Sequence, residues 1–425
     1  MADVRPFRAL RYAPELDLAA VICPPFDVIS AEQQRALNER PYNAIQIELA
    51  DNTDGNRYQR AAEVLYHWRD DGTLRQDEEP AFYLYDQRFE RDDKTYARRT
   101  VFARVRLEPW EKGVVLPHEQ TFGGPKEDRL KLLRAIEMNT SPVFLIYRDR
   151  DQEIEVLLTR LASVPPVAEA TSDDGQTHTL RRVVDTADTA ALTRAFSAET
   201  LYVADGHHRY ETALGYRDER RASASEWTGD EAENFVLAAV ASADDPGLLV
   251  LPTHRVTAAG VAIEDALRRM AGLFAIEKVS GDEAVIGALV ENARKGADFG
   301  LISCQSDAAY VLSISDAAAI DALLPQDRSP EWRKLDYAIA NYAILRNALG
   351  LAEAQMSDYG ALWFTEDARK AALDVREGRA RYALLMRSVP VTGVLDVADR
   401  GEFMPQKSTF FYPKMPTGLV FNPLD

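Results

Sequence analysis

The stretch from Leu201 to Arg221 constrains the fold more than any other part of the chain. Four apolar residues, Leu201-Tyr202-Val203-Ala204, read as a buried strand. Asp205-Gly206 then turns the chain, and from about His208 to Arg221 Tyr210, Ala213 and Leu214 recur on one helical face. A strand handing over to a helix through Asp-Gly needs a sheet on one side and helix packing on the other. The first amides of the helix point into the turn with the positive end of the helix dipole behind them, so an anion fits there. Gly206 removes a Cβ where a phosphate would approach, His207 and His208 can donate hydrogen bonds or exchange protons, and Arg209 offers a bidentate fork. The same residues also fit a plainer arrangement, with Asp205 capping the helix and two histidines at the surface.

The rest of the chain sets the context. Its 425 residues suggest two or three domains. The expected divisions are an N-terminal α/β lobe over 1–190, a core segment holding the phosphate turn over 191–260, and a C-terminal α+β lobe over 261–425. A net charge of −18 removes the usual electrostatic drive for nucleic acid. Cys23 and Cys304 stand far apart without metal-ligand spacing, so neither a disulfide framework nor a zinc site is indicated. No signal core follows the N-terminus and no apolar run reaches membrane-spanning length; the expected location is the cytoplasm.

Elsewhere, Ser30 is placed to cap a helix, and a second helix is expected from Tyr58 to Trp68, stopped by Gly72. Alternation over 81–89 and 98–107 around the turn 90–94 predicts a β-hairpin. A helix over 127–138, a strand over 143–147 and a polar connector or hairpin over 163–188 follow. A strand is expected over 248–256. The last third alternates helices, at 282–295 and 332–349, with strands at 299–303 and 309–314. The fold class is therefore α/β or α+β, with mixed sheets and several lobes.

Further residues fall at loop junctions where side chains can share a cleft. His118-Glu119 follows Pro117, but Phe122 stands where a metalloprotease would need its second histidine, so zinc is not expected. His254 and Arg255 lie at a strand end. Phe122 to Arg129 reads as a loop able to close over a ligand, with Lys126 and Arg129 bringing positive charge; a Gly-Pro turn into an acidic first helical turn fits as well. Met404 to Thr409 has a superficial likeness to a Walker loop, but Gln406 replaces the second glycine and Pro405 removes an amide donor, leaving Lys407 as a candidate phosphate contact. Phe410-Phe411-Tyr412, followed by Pro413-Lys414, could stack a base or form a buried edge strand.

At these landmarks the chain resembles the bacterial and archaeal domain-of-unknown-function family 1015, over nearly its whole length. They are Pro24 to Ser30, His118 to Thr121 with Glu127 to Leu130, Ala204 to Tyr210, Leu251 to Arg255 and Met404 to Val420. The central element is in turn similar to the phosphate turn of the ParB/sulfiredoxin superfamily, whose free-serine kinase branch carries a similar Asp-Gly-His-His-Arg. That resemblance implies a ParB/sulfiredoxin-like nucleotide-binding core and a phosphotransferase or phosphohydrolase using ATP or ADP with Mg²⁺. The acceptor would be a small hydroxyl compound such as serine, or the reaction would run back from phosphoserine. It also implies that Gly206, His207, His208 and Arg209 hold phosphate and that Asp205 places the metal or the hydroxyl; it carries over no catalytic carboxylate, and Glu48 and Glu119 are the candidates for that role. A nucleotide-gated binding protein without group transfer is the competing expectation. Asn341 stands where the resemblance leads one to expect a histidine.

Overall fold

The computed structural model describes residues 1–52, 55–121, 123–289 and 298–424. The chain divides into two compact units, one of residues 1–249 with 413–425, the other of residues 250–412.

The first unit is organised by a nine-stranded mixed sheet. Its strands are β1 (Val4–Arg5), β2 (Phe82–Arg91), β3 (Lys94–Arg106), β4 (Val115–Leu116), β5 (Val143–Tyr147), β6 (Pro166–Thr171), β7 (Thr177–Val183), β8 (Leu201–Asp205) and β9 (Phe235–Ser242). They lie in the order β4-β8-β5-β9-β3-β2-β7-β6, with β1 also on β3. The expected hairpin is β2 and β3, extended on both sides to a tight turn at Asp92-Asp93, both at positive φ (51° and 59°). Two left-handed residues match the right-handed twist of the flanking strands. The 163–188 connector is the hairpin β6-β7 inside this sheet.

The units differ from the expected divisions at 190 and 260. Strand β8 pairs with β5, and β9 pairs with both β3 and β5, so residues 201–242 belong to the same sheet as the N-terminal hairpin. One core packs on this sheet, where Ile154 and Leu158, Leu192 and Phe196, and Tyr210 and Ala213 meet Leu84, Val101, Val203 and Val240. A second core gathers helix α1 (Arg57–Asp70), through Ala61, Leu65 and Trp68, with Ile45, Ile47, Cys23 and Phe421. Helix α2 (Gly123–Ile136) joins it through Leu132 and Ile136. The expected closing loop at 122–129 is thus helical from Gly123 on, as its acidic residues Glu127 and Asp128 near a helix N-terminus allow; Phe122 lies outside the described residues.

The second unit carries a six-stranded sheet. Strands β10 (His254–Thr257), β11 (Phe274–Ser280), β12 (Phe299–Ser303), β13 (Ala308–Ile314), β14 (Leu362–Thr365) and β15 (Tyr382–Leu385) take the order β11-β13-β12-β15-β10-β14. The strand expected at 248–256 is two short ones, 249–251 and 254–257, broken at Pro252-Thr253. The helix expected at 332–349 is three pieces: Pro330–Arg333, then Asp336–Ile339, then a π-helical stretch Ala340–Ala348. Asp336 begins the second piece and is tied to Arg387 at 3.0 Å. The helix at 282 is described as far as Leu289; the expected remainder to 295 lies outside the described residues. Among the described residues no helix is long and apolar enough to cross a membrane.

Candidate functional site

Strand β8 ends at Asp205, and helix α3 (His207–Ser223) starts two residues later. Gly206 makes the corner at φ 90°, a left-handed conformation that costs glycine little. No side chain caps the helix, so Asp205 is not its N-cap; its carboxylate turns to two cations instead. Arg209 Nη2 donates to Oδ2 at 2.6 Å, and the ammonium of Lys414 donates to Oδ1. Arg209 also donates through Nη1 to the carbonyl of Pro142. A Cβ on residue 206 would lie 2.9 Å from Arg209 Nε, so glycine here also makes room for that guanidinium.

Lys414 arrives from the returning C-terminal segment. Cys23 N–H donates to Thr417 O at 3.0 Å, and Thr417 N–H donates back to Cys23 O at 2.8 Å. Asn422 donates to Asn139 Oδ1 at 3.0 Å, which also takes the amide of Leu237 at 3.0 Å. Burial alone would raise the Asp205 carboxyl, but Lys414 and Arg209 hold it far below the usual carboxylate range. Asp27 also acts on Lys414 through space, so the two cations of the corner face two carboxylates, of which Asp205 bonds both cations.

The histidines flank it. His118 is 2% exposed and its Nδ1 lies 2.7 Å from the carbonyl of Val203. A carbonyl only accepts, so the proton is assigned to Nδ1. The backbone N–H of His118 donates to Nε2 of His207 at 3.4 Å, and the rings meet edge to face at 4.7 Å. Burial pushes the pKa of both imidazoles down, that of His207 furthest because His118 and His208 add like charge. Both are neutral at pH 7. His208 is half-buried on the first turn of α3, and half-buried Glu119 acts on His118 through space.

On the far side of Arg209 lies Glu48, 2% exposed. Arg129 Nη1 donates to its Oε1 at 3.2 Å, and the hydroxyl of Thr140 donates to its Oε2. A cavity of about 50 Å³ separates these groups from α3; Glu48, Arg129, Thr140, Ser141, Arg209 and Thr212 line it. Its space suits a water molecule, and the buried Thr212 hydroxyl has no hydrogen-bond partner among the described residues.

The structure therefore brings together Asp205, Gly206, His207, His208, Arg209, His118 and Glu119, and adds Lys414 and Thr140, which sequence reasoning passed over as ligands. Two expected phosphate contacts are already committed. Lys126 pairs with Glu211, which also accepts from Thr121 at 2.5 Å. Arg129 is spent on Glu48 and on Asp128 at 2.6 Å, and stacks 4.2 Å over Phe26. His254, Arg255, Lys407 and Asn341 belong to the second unit. There His254 is fully buried and its Nδ1 accepts the amide of Met386 at 3.0 Å. Arg255 lies over Tyr337 at 4.2 Å and donates to the carbonyls of Thr253, Gln406 and Lys407. Asn341 sits half-buried on the π-helical stretch.

The profile of a family described as protein of unknown function (DUF1015) matches residues 4–338. The chain belongs to that family. No curated protein matches. Among solved structures, a conserved hypothetical protein from Pyrococcus furiosus is 14% identical, covering 76% of this chain and 94% of its own, with a TM-score of 0.33. A mutant free serine kinase in complex with ADP is 14% identical over 75% of this chain and 92% of its own, at a TM-score of 0.35. C-terminally truncated SbnI from Staphylococcus aureus is 11% identical over 76% and 87%, at 0.31. Likenesses this distant leave the chemistry to be argued from the residues themselves.

Proposed function

We propose that this DUF1015 protein is a nucleotide-dependent phosphotransferase acting on a small hydroxyl compound such as serine, or running the reverse reaction from phosphoserine. The observation that carries the proposal is the pair of cations gathered at the uncapped start of α3, where Asp205 lies between Lys414 and Arg209. Phosphoryl transfer needs positioning and charge neutralisation more than covalent help from the protein. Main-chain amides at a helix start, with two cations beside them, supply both.

In the forward direction the bond from the terminal phosphorus to its bridging oxygen breaks, and the shorter nucleotide leaves with the electron pair. The acceptor oxygen forms the new bond to phosphorus and its proton passes to a base. Asp205 is too acidic for that task and serves to hold Lys414 and Arg209 in place. His207 and His118, neutral and buried, present hydrogen-bonding groups without adding charge. Glu48, across the cavity from Arg209, is the carboxylate that can take the proton, and Thr140 and Arg129 fix its orientation.

The described residues contain no group of three metal ligands. Both oxygens of Asp205 are taken by Arg209 and Lys414, so a Mg²⁺ would come held by the nucleotide's own phosphates, and its chemistry there would be to neutralise their charge.

The test is product analysis by ³¹P NMR, with ATP or ADP, Mg²⁺ and serine or phosphoserine. The expected result is a phosphoserine resonance or its consumption. A nucleotide that stabilises the protein in a thermal melt, with no group transferred to any hydroxyl compound, would support the competing nucleotide-gated role and overturn this one.

A further inference from the structure

Among the described residues, one buried guanidinium in the first unit has no carboxylate bonded to it. Arg98, on β3, is 1% exposed, and its guanidinium lies 4.8 Å from the ring of Phe144. Nη2 donates to Gln87 Oε1 at 2.6 Å and approaches Met415 Sδ at 3.7 Å; Nε and Nη1 have no partner. Two carboxylates attract it through space and neither bonds it. Asp205 is already held by Lys414 and Arg209, and Asp245 accepts the amides of Arg99 at 3.0 Å and Gly247 at 2.7 Å. A guanidinium does not shed its proton in a protein, so the charge stays buried with carboxylates acting on it only from a distance, an arrangement that costs stability.

Its place is adjacent to the α3 corner. Phe144 is the register partner of Asp205 across β5 and β8, and Met415 follows Lys414 in the chain. Two separate lines of contact therefore bring Arg98 beside the Asp205 cluster.

We propose that Arg98 binds a carboxylate of the acceptor, so that the phosphorylated hydroxyl compound is an amino acid or hydroxy acid and not a neutral alcohol. This rests on the phosphotransfer proposal above. A single buried positive charge is neutralised by one negative charge, whereas a phosphate brings close to two. The α3 corner, with main-chain amides and two cations, is the better phosphate seat. Gln87 fixes the guanidinium in orientation, and the face of Phe144 covers it without competing for its donors.

The experiment compares wild type, Arg98→Met and Arg98→Lys by thermal melts in a carboxylate- and phosphate-free buffer. Additions are ATP with Mg²⁺, serine, and serinol, which keeps the hydroxyl and amine but lacks the carboxylate. Removing an unpaired buried charge raises the ligand-free melting temperature of Arg98→Met, whereas a structural arginine would lower it. Serine stabilises wild type and serinol does not. Arg98→Met weakens the serine effect about 10- to 100-fold in concentration, the range for a lost hydrogen bond to a charged group, and leaves the ATP effect in place; Arg98→Lys recovers part of the serine response.

Equal responses to serine and serinol in wild type, or an unchanged serine response in Arg98→Met, would overturn the assignment. So would loss of the ATP response alone, which would give Arg98 to the nucleotide. A serine effect that depends on Arg98 without any ATP effect would keep this inference and discard the phosphotransfer proposal.

Discussion

Replacing Asp205 by Asn tests the centre of the site most directly. The substitution keeps the shape of the side chain and removes the one negative charge between Lys414 and Arg209, whose side chains are only 16% and 11% exposed. Breaking a buried pair by removing one partner typically costs about 3–5 kcal/mol, because the cations left behind lose the carboxylate they share. The small residual exposure places the expected loss near the lower end, about 3 kcal/mol at pH 7. The assay is urea unfolding of wild type, D205N, K414M and the double variant. Removing Lys414 as well leaves one fewer stranded cation, so the cycle should show a coupling of about 2 kcal/mol. The pH dependence has a definite sign. Asp205 is ionised far below the ordinary carboxylate range when folded, so its contribution is complete above the unfolded value near pH 4 and declines as pH falls from there. The gap between wild type and D205N should narrow below pH 4. A loss under about 0.5 kcal/mol at pH 7, or no coupling to Lys414, would refute the reasoning.

Gly206→Ala should weaken nucleotide binding measured by calorimetry while the fold survives, because a left-handed alanine costs about 1 kcal/mol and its Cβ crowds Arg209; unchanged affinity would count against the corner as the phosphate seat. Glu48→Gln should lower kcat at least about 100-fold with little change in nucleotide affinity, read by single-turnover assay; equal losses in both would make Glu48 a binding group instead. Burial depresses His207 well below its unfolded value, so protonation favours unfolding and stability should fall as pH drops from about 6.5; His207→Gln should flatten that slope in urea midpoints taken between pH 7 and 5. Double-stranded DNA at physiological salt should give no shift in a gel, as the charge of −18 requires.

The strand, turn and helix at 201–223 could be read from sequence because the signal is local: a short apolar run, a glycine where only a left-handed residue fits, then a 3.6-residue stripe through Tyr210 and Ala213. Hairpin β2-β3 was readable for the same reason. Strand β9 was not, since Phe235 to Ala241 is buried on both faces and shows no alternation to set it apart. The pieces of helix between 330 and 348 share one apolar pattern, and the break near Leu335 coincides with an ion pair to Arg387, 51 residues away. Lys414 and Thr140 carry no local mark as ligands. Their roles come from what faces them, and a charged residue next to an aromatic run reads equally well as a solvated turn. Lys126 and Arg129 show the reverse case, in which sequence sees a free cation and the fold supplies Glu211 and Glu48.

The pairing of Lys414 with Asp205 joins residues 209 positions apart. During synthesis at about 5–20 residues per second, Asp205 emerges about 10–40 seconds before its ammonium partner exists. Over that interval the corner lacks one of its two cations, and β8, β5 and β9 must hold their register without the strap that later ties Thr417 to Cys23 and Asn422 to Asn139. The completed corner therefore comes late in the life of the nascent chain, and a premature stop shortly before codon 414 would yield a polypeptide that has every strand of its large sheet and lacks the ammonium that meets Asp205.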